Sequence, residues 1–184
     1  MTKIAVVYFS GYGHTKVIAE TFAQSSDAVL VEINQEGEIS QEHWSVLDQA
    51  NAIVFGAPTY MGAAPWQFKK FADASSKVWF VRGWQDKVFA GFTNSASLNG
   101  DKQNTLLQFQ TLASQHGGIW VSLGLPPANT KNSTREDINN LGGSIGLLVQ
   151  TPSDANTSEI PQGDLDTTKV FAKRVKEITQ KIVG

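Results

Sequence analysis

The sequence contains no cysteine and only three histidines among its 184 residues. The absence of cysteine excludes disulfides, thiolate sites for zinc or iron–sulfur clusters, and any cysteine nucleophile. Three scattered histidines do not suggest a metal site built from imidazoles. The composition therefore predicts that the protein holds no metal ion.

An excess of charge of one sign is also absent. Fifteen Lys and Arg residues face seventeen Asp and Glu residues, which leaves a net charge of −2. Nucleic-acid-binding domains usually carry a basic excess, so we expect no nucleic-acid partner. The same near balance argues against a strongly acidic carrier that docks on basic partners.

Long apolar runs are missing as well. No run reaches the roughly 18 apolar residues of a membrane span, and the first nine residues lack the basic stretch that opens a signal peptide. We therefore expect a cytoplasmic protein without a membrane span. The length and a hydrophobic content of 41% suit a single domain over residues 1–184.

Five short apolar runs rich in β-formers are present, and they alternate with segments of helical periodicity. Four of the runs lack polar alternation, which is typical of strands covered on both faces of a parallel sheet. Glu32 interrupts the second run, which indicates an edge strand. The predicted strands cover residues 3–9, 28–33, 52–56, 87–93 and 118–123, and the predicted helices 15–24, 65–74, 103–116 and 165–183. This alternation predicts an open α/β sheet.

Residues 125–163 are the irregular part of the chain, rich in Pro, Asn, Thr, Ser and Gly. A loop of this length in a compact domain is usually functional or interfacial, or else disordered. Its middle, residues 142–150, is apolar. We expect it to pack down, either as a short strand or at a subunit contact.

The loop after the first strand, Ser-Gly-Tyr-Gly-His-Thr at positions 10–15, leads directly into a helix. Two glycines let successive amides point inward, and the helix start adds partial positive charge, so the loop suits a phosphate. The alternative is a tight turn that needs glycine only for its geometry. A dinucleotide fingerprint would need Gly or Ala where Lys16 stands, and no P-loop motif occurs.

Two further loops follow the third and fourth predicted strands. Tyr60 and Met61 stand between Gly and Pro residues in the second loop, which suits a planar ligand, although an ordinary surface turn is the alternative. The third loop, residues 93–100, is small and polar. Because ligands of open α/β sheets bind outside the carboxyl ends of the strands, we expect the three loops to form one site.

These three loops resemble the FMN-contacting loops of flavodoxin-fold proteins, and most of all those of the Trp-repressor-binding-protein (WrbA) family of NAD(P)H:quinone oxidoreductases. The resemblance covers nearly the whole chain, including residues 112–117. It implies a flavodoxin-like three-layer α/β sandwich with a five-stranded parallel sheet in the order 2-1-3-4-5. It also implies FMN as the cofactor, NADH or NADPH as the electron donor, and a homo-oligomer, either a dimer or a tetramer.

The resemblance also implies roles for individual residues. The FMN phosphate would be held by Ser10, Gly11, Tyr12, Gly13, His14 and Thr15. The isoalloxazine edge would be lined by Pro58, Thr59, Tyr60, Met61 and Gly62. Amides on its pyrimidine side would come from Asn94, Ser95, Ala96, Ser97, Leu98 and Asn99.

Three aromatic positions complete the site that the resemblance implies. Tyr12 would lie near the nicotinamide, Trp79 would wall the substrate site, with Trp84 as its substitute, and His116 would hydrogen-bond a flavin carbonyl. The alternatives are that Trp79 is an ordinary core residue and that His116 is a helix-end histidine bonded to a nearby carbonyl. The family usually has arginine where Tyr60 stands.

The activity implied is hydride transfer from NAD(P)H to FMN, followed by transfer of two electrons to a quinone or similar flat acceptor. No side chain is required as a nucleophile, so no certain catalytic residue is assigned. Two other functions remain open, a flavodoxin-type carrier that passes electrons between proteins and a flavin-binding protein without turnover. The small net charge favours the enzyme over the carrier.

Overall fold

The structure is a computed structural model, and it describes residues 2–184. Its strands are β1 (Ile4–Tyr8), β2 (Val29–Glu32), β3 (Ala52–Pro58), β4 (Val88–Ser95), β5 (Ile119–Trp120) and β6 (Leu147–Gln150). Its helices are α1 (His14–Ser26), α2 (Gln41–Gln49), α3 (Trp66–Ala74), α4 (Ser76–Phe80), α5 (Lys102–Gln115) and α6 (Gln162–Val183), with a 3-10 turn at Thr157–Glu159. Among the described residues, no helix has both the length and the apolar character needed to cross a membrane.

The sheet is parallel and runs in the order β2-β1-β3-β4-β5, with β6 also paired to β4. The predicted flavodoxin-like order is confirmed, and a sixth strand is added to it. Strand β2 lies at the edge, as Glu32 indicated. The carboxyl ends of β1, β3 and β4 therefore lie side by side.

Burial on both faces explains why the central strands are apolar throughout. All five residues of β1 and all seven of β3 are buried. Alternate side chains point to opposite faces of a strand, so Val6 packs in a core with α1 and α6, whereas Val7 packs in a second core with α2, α3 and α5. The sheet is thus the middle layer of three.

Two short strands share the fifth position in the sheet. The start of β4 pairs with β5, and its end pairs with β6 through Phe92 opposite Leu147 and Ser95 opposite Gln150. The single strand predicted over residues 118–123 is therefore too long, since the chain leaves the edge and Leu123 donates instead to the carbonyl of Ser144. The apolar middle of the irregular region forms β6, so the prediction of a short strand there is confirmed.

Helix α2 was not predicted from the sequence. It begins after Ser40, whose Oγ accepts a hydrogen bond from the amide of His43 at 3.1 Å. Of its residues only Leu47 is buried, while Trp44 stacks on Phe71 of α3. Its apolar face is too narrow to give clear helical periodicity.

Candidate functional site

A cavity of about 310 Å³ opens at the edge of the sheet where β1, β3 and β4 end. All three predicted loops contribute to it, and so does the segment after β6. The lining residues are Tyr12, His14, Thr15, Pro58, Thr59, Tyr60, Asn94, Ser95, Ala96, Thr151 and Ser153. The three loops therefore meet at one cavity, as expected, and its use as a ligand site stays a prediction.

The first loop is shaped to receive an anion. The Oγ of Ser10 accepts hydrogen bonds from the amides of Gly13 at 3.1 Å and Lys16 at 3.2 Å, which closes the turn. Within residues 2–184, no protein group accepts a hydrogen bond from the amides of Tyr12, His14 or Thr15. These donors lie at the start of α1, where the helix dipole favours negative charge, so the loop fits a phosphate.

The two glycines of this loop are required by close contacts. Gly13 has φ of 92°, in the left-handed region, and a Cβ there would lie 2.9 Å from Cγ2 of Thr157. A Cβ on Gly11 would overlap the Tyr60 hydroxyl. The loop is therefore enclosed by Tyr60 on one side and by the segment around Thr157 on the other.

His14 lines the cavity, but a backbone group holds its ring. Its Nε2 lies 3.0 Å from the carbonyl oxygen of Ala155. This contact joins the first loop to the segment that follows β6.

The second loop is fixed by hydrogen bonds to β4 and α5 and is open on the side that faces the cavity. The hydroxyl of Thr59 lies 2.8 Å from the hydroxyls of both Thr93 and Thr105, and its amide donates to the carbonyl of Asn94 at 2.8 Å. Burial raises the pKa of the Tyr60 phenol, which stays neutral at physiological pH. This loop therefore presents an uncharged, rigid wall.

Two large side chains of the first and second loops are exposed, Tyr12 at the cavity and Met61 next to the lining residue Tyr60. Tyr12 is 80% exposed, and its ring meets the Tyr60 ring edge to face, with centroids 6.1 Å apart. Met61 is fully exposed, with φ of 49°. Large apolar side chains exposed around one opening are typical of a binding site for a flat ligand or a protein surface.

The third loop divides between two environments. Ser95 and Ala96 line the cavity, and the Oδ1 of Asn94 accepts from the hydroxyl of Thr151 at 3.3 Å. Leu98 and Asn99, which the resemblance placed beside the flavin, line a neighbouring cavity instead. Ser97 also lies outside the lining, and its carbonyl accepts from Lys102.

The structure does not bring His116 to this cavity. Helix α5 starts beside the third loop and runs 14 residues, about 21 Å at the usual rise per residue, so its far end lies at the opposite edge of the sheet. There the ring of His116 is buried, with Nε2 3.0 Å from Ser75 Oγ and its face against Trp84. The expected contact with a flavin carbonyl in the cavity of its own chain is not supported, because α5 carries the histidine away from it.

Neither candidate tryptophan lines the cavity. Trp79 lies on α4, which follows α3 at the same far edge as His116, and it is half exposed beside the exposed side chains of Phe80 and Val81. Trp84 is fully buried, and its Nε1 donates to Asp48 at 3.0 Å. Trp84 is therefore a core residue and not a substitute wall for the site.

Sequence reasoning missed the part of the site that follows β6. Thr151 and Ser153 line the cavity, and Ala155 and Thr157 contact the first loop. The available indication was a short apolar run followed by Thr-Pro-Ser, which has the form of a strand end followed by a loop. In the described part of the chain, no group of three or more His, Asp or Glu residues is arranged to hold a metal ion.

Comparisons with known proteins agree with this geometry. The family described as Flavodoxin domain matches residues 5–110. Flavodoxin FldP of Pseudomonas aeruginosa is 66% identical over 182 residues, which is 99% of each chain. The crystal structure of a flavodoxin, WrbA-like protein from Agrobacterium tumefaciens superposes with a TM-score of 0.82 at 48% identity, covering 98% of this chain and 99% of that one. An NAD(P)H dehydrogenase (quinone) of Rhizobium rhizogenes is 28% identical over the full length of both chains.

The fold and the site together define a flavodoxin-like α/β protein with a cavity at the carboxyl edge of its sheet. The chain belongs to the flavodoxin family. The likeness to WrbA-like proteins stated from the sequence is confirmed. A flavodoxin domain implies FMN binding, and the free amides of the first loop fit the FMN phosphate.

Proposed function

We propose that this protein is a flavodoxin-type electron-transfer protein that works through bound FMN. The observation that carries the proposal is the 66% identity, over 99% of each chain, to a protein named Flavodoxin FldP. When bound, FMN supplies the redox chemistry by taking up and releasing electrons at its isoalloxazine ring. The chain itself has to bind the phosphate, orient the ring and leave one edge of it accessible.

The residues of the cavity suit these tasks. The amides of Tyr12, His14 and Thr15 are available to the phosphate, and neutral donors at a helix start bind a dianion without an added cation. Within the described residues, no Lys, Arg, Asp or Glu lines the cavity. A lining without charged side chains supports electron transfer more than acid–base catalysis by the protein.

Exposed side chains of the three loops support access of a redox partner to the ring. Tyr12 is exposed at the cavity, Met61 is exposed next to the lining residue Tyr60, and Leu98 is exposed in the third loop. Exposed apolar side chains allow a partner to approach closely and exclude water from the path of the electron. The modest net charge of −2 predicts that such a partner is guided only weakly by long-range electrostatics.

The second candidate is the activity first expected from the sequence, transfer of a hydride from NAD(P)H to FMN and then of electrons to a quinone or similar flat acceptor. Similarity to the NAD(P)H dehydrogenase (quinone) of Rhizobium rhizogenes favours it, as does the exposed ring of Tyr12 at the cavity. Trp79 and His116 lie outside the cavity of their own chain, and the 66% identical relative is named a flavodoxin, so this candidate stands second. The homo-oligomer stays a prediction.

Anaerobic stopped-flow absorbance distinguishes the two candidates. The FMN-loaded protein is mixed with NADH or with NADPH, then with benzoquinone, and in parallel with dithionite followed by ferricyanide. A carrier is reduced by dithionite and reoxidised by ferricyanide, while both nicotinamides bleach it no faster than they bleach free FMN. Bleaching well above the free-FMN rate, followed by rapid reoxidation with benzoquinone, would overturn the carrier in favour of the reductase. Failure of the purified protein to bind FMN would contradict both.

A further inference from the structure

Lys102 is a completely buried lysine at the start of α5, directly next to the third loop of the site. Its Nζ donates to Ser95 Oγ at 2.9 Å, to the carbonyl of Ser97 at 2.6 Å and to the carbonyl of Leu98 at 2.9 Å. These three acceptors use all three hydrogens of an ammonium group. A buried lysine is rare unless it is paired, and here the partners are oxygens of one loop.

The carbonyls of this loop are held from two directions. Lys102 takes those of Ser97 and Leu98, and the Nε2 of Gln150 donates to the carbonyl of Ala96 at 2.6 Å. Within residues 2–184, no protein group accepts a hydrogen bond from the amides of Ala96, Ser97 or Leu98. With their carbonyls occupied and their amides free, the backbone of these three residues offers donors to a ligand.

A buried network fixes the Gln150 side of this arrangement. The carboxylate of Asp164 accepts from the amide of Gln150 at 3.0 Å and from the guanidinium of Arg135 at 2.7 Å. Because β6 is held in this way, the Gln150 side chain reaches the third loop from a rigid strand. Lys102 of α5 and Gln150 of β6 thus hold the same loop from two different elements.

We propose that Lys102 is a positioning residue that holds the cavity-lining part of the third loop, Ser95 and Ala96, in place against the flavin ring and puts a positive charge beside it. The inference rests on the proposed binding of FMN at this cavity. Reduction adds negative charge to a flavin, and a nearby buried ammonium stabilises that charge, which raises the midpoint potential. Lys102 contributes through the loop and through its charge.

The protonation of Lys102 gives this role a pH dependence. Burial lowers the pKa of Lys102 to about 8, while Asp164 of α6 opposes this shift and Arg135 adds to it. A phosphate monoester is already a dianion between pH 7 and 9.5. As the pH rises through 8, Lys102 loses its charge and one donor, so the affinity for FMN falls.

The test is a set of FMN titrations of the apoprotein by fluorescence quenching at pH 7 and pH 9.5, together with midpoint potentials of the FMN complexes. For the unaltered protein we expect the Kd for FMN to rise severalfold between the two pH values. For Lys102→Met we expect a Kd at least tenfold higher at pH 7, no pH dependence and a more negative midpoint potential. Lys102→Arg keeps its charge at both pH values, so it should restore part of the affinity without the pH dependence.

Lys87 provides the matched control. It is a second lysine whose pKa is lowered by burial, and its Nζ donates to the backbone carbonyls of Asp48 and Ala50 at the opposite edge of the sheet. Lys87→Met should keep the Kd and midpoint potential of the unaltered protein.

Four outcomes separate the possibilities. A wild-type Kd, pH profile and potential in Lys102→Met would overturn the role of Lys102 while leaving FMN binding intact. If Lys102→Met does not fold by circular dichroism, the pH profiles of the unaltered protein and of Lys102→Arg decide, and two flat, equal profiles would overturn the inference. Equal losses in the Lys87 variant would also overturn it. Absence of FMN binding by the unaltered protein would instead remove the proposed function itself.

Discussion

Gly13 is the residue on which the approach of a phosphate to the first loop most directly depends. With φ of 92° it adopts a conformation that costs other residues about 1–3 kcal/mol. A side chain there also meets Thr157. We expect Gly13→Val to weaken FMN binding by at least about tenfold, which corresponds to about 1.4 kcal/mol. Fluorescence titration of the apoprotein with FMN measures this change.

Gly142 supplies a control for backbone strain alone. It has φ of 69°, but a Cβ there would make only an ordinary contact, 3.6 Å from Pro127, away from the cavity. Gly142→Val should lower the thermal midpoint of the apoprotein and leave the Kd for FMN unchanged. Equal loss of affinity in both variants would show that strain anywhere in the chain, and not access to the loop, governs binding.

The place of an individual site residue was predictable where it depends only on one strand and the loop that follows it. Thr15 and Asn94 follow directly from the position of a loop at a strand end, and both line the cavity. The role given to His116 came from a match in a sequence segment, which ignored that a helix between two parallel strands ends at the edge of the sheet opposite to the one where it began. Lys102 was missed because a lysine at a helix start normally suggests an exposed charge.

Asp164 joins three elements of the fold, and its loss tests how β6 is held. Its side chain is almost completely buried, accepts from Arg135 in the irregular segment and from the amide of Gln150 in β6, and lies on α6. Removing one partner of a buried ion pair leaves the other charge uncompensated. We expect Asp164→Ala to reduce the free energy of unfolding by about 3 kcal/mol. Urea denaturation of the apoprotein measures the loss.

The exposed pair of Asp166 and Lys169 on the same helix offers the comparison. Ion pairs at the surface contribute at most about 1 kcal/mol, so Asp166→Ala should remain close to the unaltered protein. Similar denaturation midpoints for the two variants would contradict the assignment of Asp164 as the anchor of β6. Asp164 and Asp166 lie on the same helix and each pairs with a basic residue, so burial is the main difference between them.

Elements were predictable where the pattern is local. Strands β1 and β3 are buried on both faces, and this appears in the sequence as an uninterrupted apolar run. The fifth position is divided between β5 and β6, because the chain leaves the sheet after Trp120 and comes back to β4 only at Leu147. The hydrogen bond from the Leu123 amide to the Ser144 carbonyl holds the two parts together. No pattern within either strand contains that information, because both pair with the same neighbour.

At the scale of the whole molecule, the candidate binding site and a buried histidine contact lie at opposite edges of the sheet. The carboxyl edge carries the cavity with its free amides, whereas the opposite edge carries a buried contact of His116 with Ser75 and Trp84. That contact joins the end of α5 to the turn between α3 and α4. A change in the charge of His116 should therefore alter the stability of the fold without any contact with the cavity.

The pH dependence of stability follows from the state of His116. Burial lowers its pKa, and the Ser75 hydroxyl, which donates to the carbonyl of Ala72, accepts from Nε2. Nδ1 is buried without a partner in the described part of the chain, so a second proton would have no acceptor. In the unfolded chain a histidine has a pKa near 6.5. Below that value the unfolded chain binds more protons than the folded one, so stability falls as the pH falls from about 6.5 toward the lower folded pKa.

His116→Gln removes this titration, and its side-chain amide extends about as far as Nε2, so that it can still donate to Ser75. We expect the thermal midpoint of the unaltered apoprotein to fall more steeply between pH 7 and pH 5 than that of the variant, as measured by circular dichroism. Carboxyl groups titrate in both proteins, so the difference between the two curves isolates the histidine. Parallel curves would mean that protonation of His116 costs the folded state nothing, and that its buried Nδ1 gains an acceptor when the ring is charged. A steeper curve in the unaltered protein, with equal FMN affinity in both, would locate the acid sensitivity of the fold at the edge of the sheet opposite its binding site.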